Sequence, residues 1–188
     1  QRLPPLHGIV HAAGVLDDAL LAEQTAERFE RVMAAKVRGA WNLHLMTAHQ
    51  PLDFFFCYSS AMAMLGSPGQ ANYVAANAFL DALAHYRQRL GRPTTSINWG
   101  LFTEVGMATA NTKAAGRLAE RGMQSLTMEQ ARQVFMQLLG QPRTQLGVMN
   151  LDGRKWVEYY PHLAGSPFWN ELSLDDPSTK PALSEAPF

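Results

Sequence analysis

Four polar residues occur at positions where packing alone does not readily explain a polar side chain. Lys36 falls on the apolar side of the first predicted helix, Ser60 ends a predicted strand, and Tyr73 opens a second helix with Asn77 four positions later. Because residues four apart share a helix face, Tyr73 and Asn77 are expected to point into the same cleft. A phenol, a hydroxyl and an ammonium together can protonate a carbonyl oxygen, so this set suggests carbonyl reduction.

The ammonium of Lys36 is expected to tune the phenol of Tyr73. A phenol is a poor acid at its ordinary pKa near 10, and a nearby positive charge favours the phenolate form. Taken alone, Lys36 is better explained as a lysine that packs its stem on the helix and extends its charge to solvent than as a catalytic residue. Its occurrence together with Tyr73 and Ser60 reverses that interpretation. Ser60 is preferred over Ser59, although a register slip of one residue would exchange the two serines.

These side chains require a scaffold in which strands alternate with helices. Near-continuous apolar runs predict strands that are buried on both faces, and segments with helical spacing lie between them. Strand-helix-strand alternation implies a Rossmann-like α/β fold with a parallel sheet, right-handed crossovers and flanking helices. The predicted strands are 6–11, 53–59, 94–99 and 145–151, and the predicted helices are 23–48, 71–90, 112–121 and 128–140.

Small or hydroxylated residues follow three of the predicted strands, at 12–14, 59–60 and 99–100. In an open α/β sheet, ligands bind in the crevice outside the carboxyl ends of the strands. Small residues there let a flat ligand approach the backbone closely. The sequence therefore predicts a cofactor cleft at this edge of the sheet.

The composition limits the classes of protein. Of the 188 residues, 47% are hydrophobic and 17% are charged, which supports one buried core and argues against bulk disorder. Sixteen basic residues balance sixteen acidic ones, so no overall positive field favours nucleic acid or a membrane surface. With a single cysteine, Cys57, and no apolar run long enough to cross a membrane, a reducing cytoplasmic setting is expected.

Two further residue types receive plain structural interpretations. His7 and His11 share one face of the first strand, but two histidines without a third ligand are weak evidence for a metal, so no metal site is expected. Cys57 lies between aromatic residues and is expected to be a small buried hydrophobe rather than a nucleophile.

Six segments together resemble the catalytic, C-terminal half of a ketoreductase domain from a modular type I polyketide synthase, within the short-chain dehydrogenase/reductase superfamily. Most short-chain reductases have lysine four residues after the tyrosine, whereas this chain has Asn77 there and its lysine on the preceding helix, as the synthase ketoreductases do. The segments are HAAG at 11–14, LDD at 16–18, AKVRGAWNLH at 35–44, SS at 59–60, GSPGQANYVAANAFLD at 66–81 and NWG at 98–100.

The resemblance implies a role for each site residue. Tyr73 is the general acid that protonates the ketone oxygen as hydride arrives from a nicotinamide, and Ser60 hydrogen-bonds the same oxygen. Lys36 lowers the tyrosine pKa and touches the nicotinamide ribose, while Asn77 holds Lys36 or a proton-relay water in place. The implied cofactor is NADPH, with its nicotinamide end lined by Ala13, Gly14, Trp99 and Gly100.

The same resemblance implies a stereochemical outcome. Leu16, Asp17 and Asp18 resemble the loop motif of the subclass that makes the D-configured hydroxyl, and Leu65 stands where the opposite subclass has tryptophan. A D-3-hydroxyacyl product is therefore expected. Ala75 replaces the proline of epimerising members, so no epimerisation is expected. The alternative for Asp17 and Asp18 is a plain helix start, where negative charge suits the helix dipole.

The chain, whose first residue is Gln1, is expected to be part of a longer polypeptide. Residues 1–165 would form the catalytic half of the domain, and the acidic, proline-bearing residues 166–188 a linker toward the next domain. The segment 106–123 is expected to close over the substrate.

The resemblance also implies partners for this half-domain. An acyl carrier protein would deliver a β-ketoacyl chain on a phosphopantetheine arm, and a preceding N-terminal half would carry the G-x-G-x-x-G motif that these 188 residues lack. The isolated chain is therefore expected to bind NADPH weakly. The competing hypothesis is a catalytically silent structural half-domain that scaffolds neighbouring synthase domains.

Overall fold

The computed structural model of the chain describes residues 4–103 and 112–173. Its strands, in chain order, are β1 (Gly8–His11), β2 (Phe54–Ser60), β3 (Thr95–Trp99), β4 (Met123–Gln124), β5 (Gln145–Val148) and β6 (Asn150–Leu151). β1, β2, β3 and β5 form a four-stranded sheet in the order β1-β2-β3-β5, in which every pairing is parallel. β4 and β6 pair antiparallel in a second, two-stranded sheet.

Helices cover both faces of the parallel sheet. The helices are α1 (Ala26–Met33), α2 (Gly39–Met46), α3 (Ala61–Leu65), α4 (Ala71–Arg89), α5 (Thr112–Glu120), α6 (Met128–Gly140), α7 (Gly153–Tyr159) and α8 (Pro167–Ser173). This arrangement confirms the predicted parallel α/β sheet with flanking helices. None of the helices in the described ranges is long and apolar enough to span a bilayer.

The two faces of the sheet carry separate apolar cores because successive side chains of a strand point in opposite directions. In β2, Phe55 and Cys57 pack with Leu80 of α4 and Ala40 of α2. Phe56, between them, faces a second core with residues of β3 and α6. Burial on both faces explains why β2 is continuously apolar from Phe54 to Tyr58, before the two serines at its end.

The first predicted helix is interrupted. α1 ends at Met33, a π-helical turn spans Ala34–Arg38, and α2 begins at Gly39. Thr25 caps α1 by accepting a hydrogen bond from the Arg28 amide. The π turn carries Lys36, whose carbonyl oxygen lies 3.2 Å from Nε2 of the buried His11. The periodicity of 23–48 predicts one continuous helix, and it cannot reveal a turn that holds one extra residue without breaking the apolar stripe.

The C-terminal part of the described chain differs from the expectation. The predicted strand 145–151 is divided between β5 and β6, which belong to different sheets. α8 lies inside the segment 166–188 that was expected to be linker, and its Trp169 is only 5% exposed because it stacks on Trp156 of α7. The folded region therefore extends beyond residue 165. The rest of that segment, 174–188, and residues 106–111 of the expected lid lie outside the described residues.

Candidate active site

A cleft of about 670 Å³ lies at the carboxyl ends of β1, β2 and β3, where the topology predicts it. The predicted site residues that line it are Gly14, Leu16, Asp18, Lys36, Ser60, Tyr73, Trp99 and Gly100. The predicted residues that do not line it are Ala13, Asp17, Leu65 and Asn77. Leu65 instead lines a smaller pocket of about 290 Å³, together with Tyr160 and Leu163.

Lys36 is buried at the base of this cleft, with 3% of the residue exposed. Its amine donates a hydrogen bond to the Tyr58 carbonyl oxygen at 2.8 Å and lies 5.6 Å from the centroid of the Tyr73 ring. Burial lowers the pKa of Lys36 to about 8, against the opposing influence of Cys57 and Asp81. The site therefore holds an ammonium that loses its proton far more easily than a surface lysine does.

The phenol of Tyr73 behaves differently from the sequence-based expectation. Burial raises the pKa of Tyr73 above its ordinary value, and the neighbouring polar side chains of Ser60 and Asn77 oppose that rise. Lys36 was expected to supply the opposing influence, but its amine is hydrogen-bonded to the Tyr58 carbonyl oxygen. Tyr73 is thus a protonated phenol at neutral pH.

The two serines at the end of β2 have distinct surroundings. The Ser59 hydroxyl donates to the Asn77 carbonyl oxygen at 3.3 Å and accepts from the Asn98 amide at 3.1 Å. The Ser60 oxygen accepts from the Met62 amide at 3.2 Å and also interacts with Tyr73. Ser59 is therefore used within the sheet-helix interface, and the geometry favours Ser60 as the cleft hydroxyl.

Asn77 lies directly beneath Tyr73 on α4 and is fully buried. Its Nδ2 donates to the Tyr73 carbonyl oxygen at 2.8 Å, while its Oδ1 has no hydrogen-bond partner among the described residues. Burying an unsatisfied acceptor is costly. The free Oδ1 can accept a hydrogen bond from a water or a ligand, and Asn77 makes no hydrogen bond to Lys36 within the described ranges.

The loop after β1 is fixed by polar contacts on two sides. The carboxylate of Asp17 pairs with Arg28 and with Arg31 of α1, the latter at 2.6 Å, so it faces α1 rather than the cleft. The Asp17 carbonyl oxygen accepts a hydrogen bond from Asn72 Nδ2 at 2.8 Å. Of the four residues predicted to guide the substrate, Leu16 and Asp18 line the cleft, whereas Asp17 and Leu65 do not.

Sequence reasoning missed a polar network beneath the site. The Asp81 carboxylate accepts from Ser96 Oγ at 2.6 Å and from Asn98 Nδ2 at 2.9 Å. Asn98 Nδ2 also lies 3.1 Å from the Ser60 carbonyl oxygen, so the network fixes the strand end that carries Ser60. A signal was present, because Asp81 follows Tyr73 and Asn77 at the same four-residue spacing on one face of α4.

The residues present fit the nicotinamide end of a dinucleotide. Gly14, Lys36, Tyr73 and Trp99 all line the cleft, and Trp99 Nε1 is a buried donor with no hydrogen-bond partner among the described residues. Gly100 fits less directly, since a Cβ there would lie 3.0 Å from the Met149 Cβ. Its lack of a side chain is therefore explained by chain packing.

A parallel α/β sheet with flanking helices, and with a serine, a tyrosine and a lysine lining a cleft at its carboxyl edge, is the architecture of part of a short-chain dehydrogenase/reductase. The family model for the KR domain matches residues 1–104. The chain belongs to the ketoreductase (KR) domain family of polyketide synthases.

Relatives and solved structures agree with this family. The phthioceranic/hydroxyphthioceranic acid synthase of Mycobacterium tuberculosis is 42% identical over 156 residues, covering 81% of this chain and 7% of that protein. A solved A-type ketoreductase from a modular polyketide synthase is 38% identical with a TM-score of 0.80, covering 83% of this chain and 33% of that one. An A1-type ketoreductase is 34% identical with a TM-score of 0.83, covering 91% and 37%. The chain thus spans a small part of its curated relative.

Proposed function

We propose that this chain is the catalytic half of an NADPH-dependent ketoreductase that reduces a β-ketoacyl thioester to a 3-hydroxyacyl thioester within a polyketide synthase. The observation that carries the proposal is the convergence of Lys36, Ser60 and Tyr73 on one cleft at the carboxyl edge of the sheet. Membership of the KR-domain family supports the same reaction. The product is a secondary alcohol, and the class of enzyme is an oxidoreductase.

In the proposed reduction, a bound reduced nicotinamide would supply the hydride for the carbonyl carbon, and the protein would supply the proton. Tyr73 donates its phenolic proton to the carbonyl oxygen, and its raised pKa keeps that proton in place at neutral pH until the oxygen becomes basic. The Ser60 hydroxyl donates to the same oxygen and stabilises the developing alkoxide.

Lys36 and Asn77 act behind the proton donor. The Lys36 ammonium would bind the nicotinamide ribose hydroxyls, and its position 5.6 Å from the Tyr73 ring lets it stabilise the phenolate left after proton transfer. The unpaired Asn77 Oδ1 would hold a water that returns a proton toward Tyr73. Gly14, Trp99 and Gly100 line the part of the cleft that would receive the nicotinamide.

The proposed product has a D-configured hydroxyl. Leu16 and Asp18 line the cleft, and Leu65 stands at the position where the other subclass has tryptophan. Ala75 supports reduction without epimerisation. Chiral chromatography of the reduced thioester tests this part of the proposal, and recovery of the L-alcohol would overturn it.

The proposed partners are an acyl carrier protein, which presents the β-ketoacyl chain on a phosphopantetheine arm, and an N-terminal half-domain that binds the dinucleotide phosphates. The proposed setting is the cytoplasm, where the buried thiol of Cys57 stays reduced. Burial raises the pKa of Cys57 to about 12, so this residue is not proposed as a nucleophile.

The experiment that tests the reaction uses the intact parent synthase. NADPH oxidation is followed with a β-ketoacyl thioester for the wild type, Tyr73→Phe and Lys36→Ala, with Tyr86→Phe on the exposed outer face of α4 as the matched control. We expect strong loss in the first two variants and full activity in the control. Unchanged rates in both cleft variants would favour the structural half-domain instead.

A further inference from the structure

Two arginines lie in the cleft wall on the side of α5. Arg117 belongs to α5 and is exposed, and Arg121 follows just after the helix ends. They are four residues apart, so they lie on the same side of this turn of chain, and the Arg121 amide donates to the Arg117 carbonyl oxygen at 3.3 Å. Both therefore present a positive charge to the same space.

The charges of the cleft wall are unbalanced. Lys36, Arg117 and Arg121 contribute three cations, whereas Asp18 is the single carboxylate among the described lining residues. Asp18 is itself occupied by a hydrogen bond from Gln70 Nε2 at 3.0 Å. The whole chain has equal numbers of acidic and basic residues, so this excess is local. A cleft of this composition favours an anionic occupant.

Arg121 is held in place by aromatic residues rather than by a carboxylate. Its Nη1 donates to the Tyr160 hydroxyl at 2.6 Å, and its guanidinium carbon lies 4.6 Å from the centroid of the Tyr159 ring. A guanidinium carries five N–H donors, so donors remain for a ligand. Because the planar group is already oriented, less side-chain entropy is lost when it binds an anion. No ion pair within the described ranges involves Arg121.

We infer that Arg117 and Arg121 form a binding site for the phosphodiester of the phosphopantetheine arm that carries the substrate. This inference rests on the proposed function, since a thioester substrate reaches the cleft on such an arm. The phosphodiester is the charged group of the arm, and paired arginines match its oxygens with charge-assisted hydrogen bonds. Lys36, at the buried end, is left for the cofactor and the reacting oxygen.

The test compares two substrates that differ only in the phosphate. The intact synthase is assayed with a β-ketoacyl phosphopantetheine thioester and with the same acyl pantetheine thioester lacking phosphate. We expect the wild type to have a kcat/KM roughly ten- to a hundredfold higher for the phosphorylated substrate, as lost hydrogen bonds to a charged group predict. Arg117→Ala and the double variant with Arg121→Ala are expected to lose this preference and keep their rate with the unphosphorylated substrate.

Controls separate the charge from the packing. Tyr160→Phe removes the hydrogen bond to Arg121 without removing the charge, so it is expected to keep most of the preference. The double variant Arg117→Lys with Arg121→Lys is expected to keep part of the preference for the phosphorylated substrate. If the wild type shows no preference, or if the double variant keeps it, the inference is wrong. A raised KM for NADPH with an unchanged substrate preference would assign the arginines to the cofactor and also overturn it.

A binding measurement makes the inference independent of turnover. Calorimetric titration of the same synthase with phosphopantetheine and with pantetheine measures the site directly. We expect phosphopantetheine to bind more tightly, and the double variant to bind the two equally. Failure of the proposed function would appear as absent NADPH oxidation with every substrate, whereas failure of this inference would appear as equal binding of the two compounds to the wild type.

Discussion

The amine of Lys36 lies 5.6 Å from the centroid of the Tyr73 ring, yet its hydrogen bond goes to the carbonyl oxygen of Tyr58. The cation is therefore close enough to stabilise a phenolate, but it does not hold the phenol itself. Because burial lowers the pKa of Lys36 and raises the pKa of Tyr73, both groups favour their neutral forms more than they would in water.

Removing the phenolic hydroxyl is expected to abolish most of the proton donation. For Tyr73→Phe in the intact synthase, kcat should fall by roughly 10²- to 10⁴-fold, the usual contribution of a positioned acid, with a small change in KM. Steady-state kinetics with a β-ketoacyl thioester measure both constants. A Tyr73→Phe enzyme within a factor of two of wild type would show that another group supplies the proton.

The decrease of the reaction rate at alkaline pH is expected to follow the loss of the positive charge of Lys36. Since burial lowers the pKa of Lys36 to about 8, its ammonium is present at neutral pH and lost as pH rises through about 8. Tyr73 keeps its proton over this range because its pKa is raised. A pH-rate profile should fall on the alkaline side, and Lys36→Arg, which keeps its charge, should move that fall upward. An identical profile for both enzymes would contradict this assignment.

The same burial is expected to cost stability. The pKa of Lys36 drops from 10.5 when exposed to about 8 when folded, a difference worth about 3 kcal/mol. The unfolded chain holds the proton more tightly, so the free energy of unfolding should rise as pH increases from about 8 to 10.5.

Lys36→Met should therefore unfold at higher urea concentration than wild type at pH 7, and the difference should shrink toward pH 10.5. The unpaired carbonyl oxygen of Tyr58 offsets about 1 kcal/mol of the gain. A variant that is less stable than wild type at pH 7 would show that the lysine stabilises the fold.

Acid is expected to destabilise the chain through two buried histidines. Burial and nearby cations lower the pKa of His11 and of His44, and His44 Nδ1 accepts a hydrogen bond from the buried Arg87 at 2.9 Å. Because the unfolded chain binds protons more tightly, the free energy of unfolding should fall as pH drops below 6.5. In urea titrations between pH 5 and 8, the free energy of unfolding of His44→Asn should fall less with decreasing pH than that of wild type. An equal decrease would show that other groups cause the acid destabilisation.

The carboxylate of Asp81 is expected to support both stability and rate. Asp81→Ala leaves the donors of Ser96 and Asn98 without their acceptor, which should cost about 1–3 kcal/mol and loosen the end of β2 at Ser60. Thermal unfolding and kcat measure the two effects. Asp53→Ala, at an exposed carboxylate bonded to His7, is the matched control and should change neither.

The sequence predicts the sheet and the position of the cleft well because both follow from strong patterns. The first five residues of β2 are all apolar or aromatic, which indicates burial on both faces, and the small residues after β1 and β3 come at strand ends. The π turn at Ala34–Arg38 is invisible in the same pattern, since the apolar stripe continues across it. Trp169 falls in the segment predicted to be linker because that segment is rich in proline and acidic residues, and local composition does not reveal its tertiary contact with Trp156.

Within the site, residue types were predictable and their contacts were not. The spacing of Tyr73 and Asn77 places both on one helix face, and the structure has them adjacent. Asp17 was expected near the substrate, but two arginines one turn apart on α1 attract its carboxylate away from the cleft. The orientation of the Asp17 carboxylate depends on where the folded chain places these arginines, and a local sequence pattern does not give that position.

The single surplus residue in the turn at Ala34–Arg38 makes the proposed ketone reduction separable from folding. Deleting Ala35 would restore ordinary helical winding and swing the lysine by about 100°, out of reach of the tyrosine, while the strands and both cores keep their sequences. Under the proposed function, one codon removed from such a synthase would leave a carbonyl in the polyketide at the position where this domain is proposed to form an alcohol.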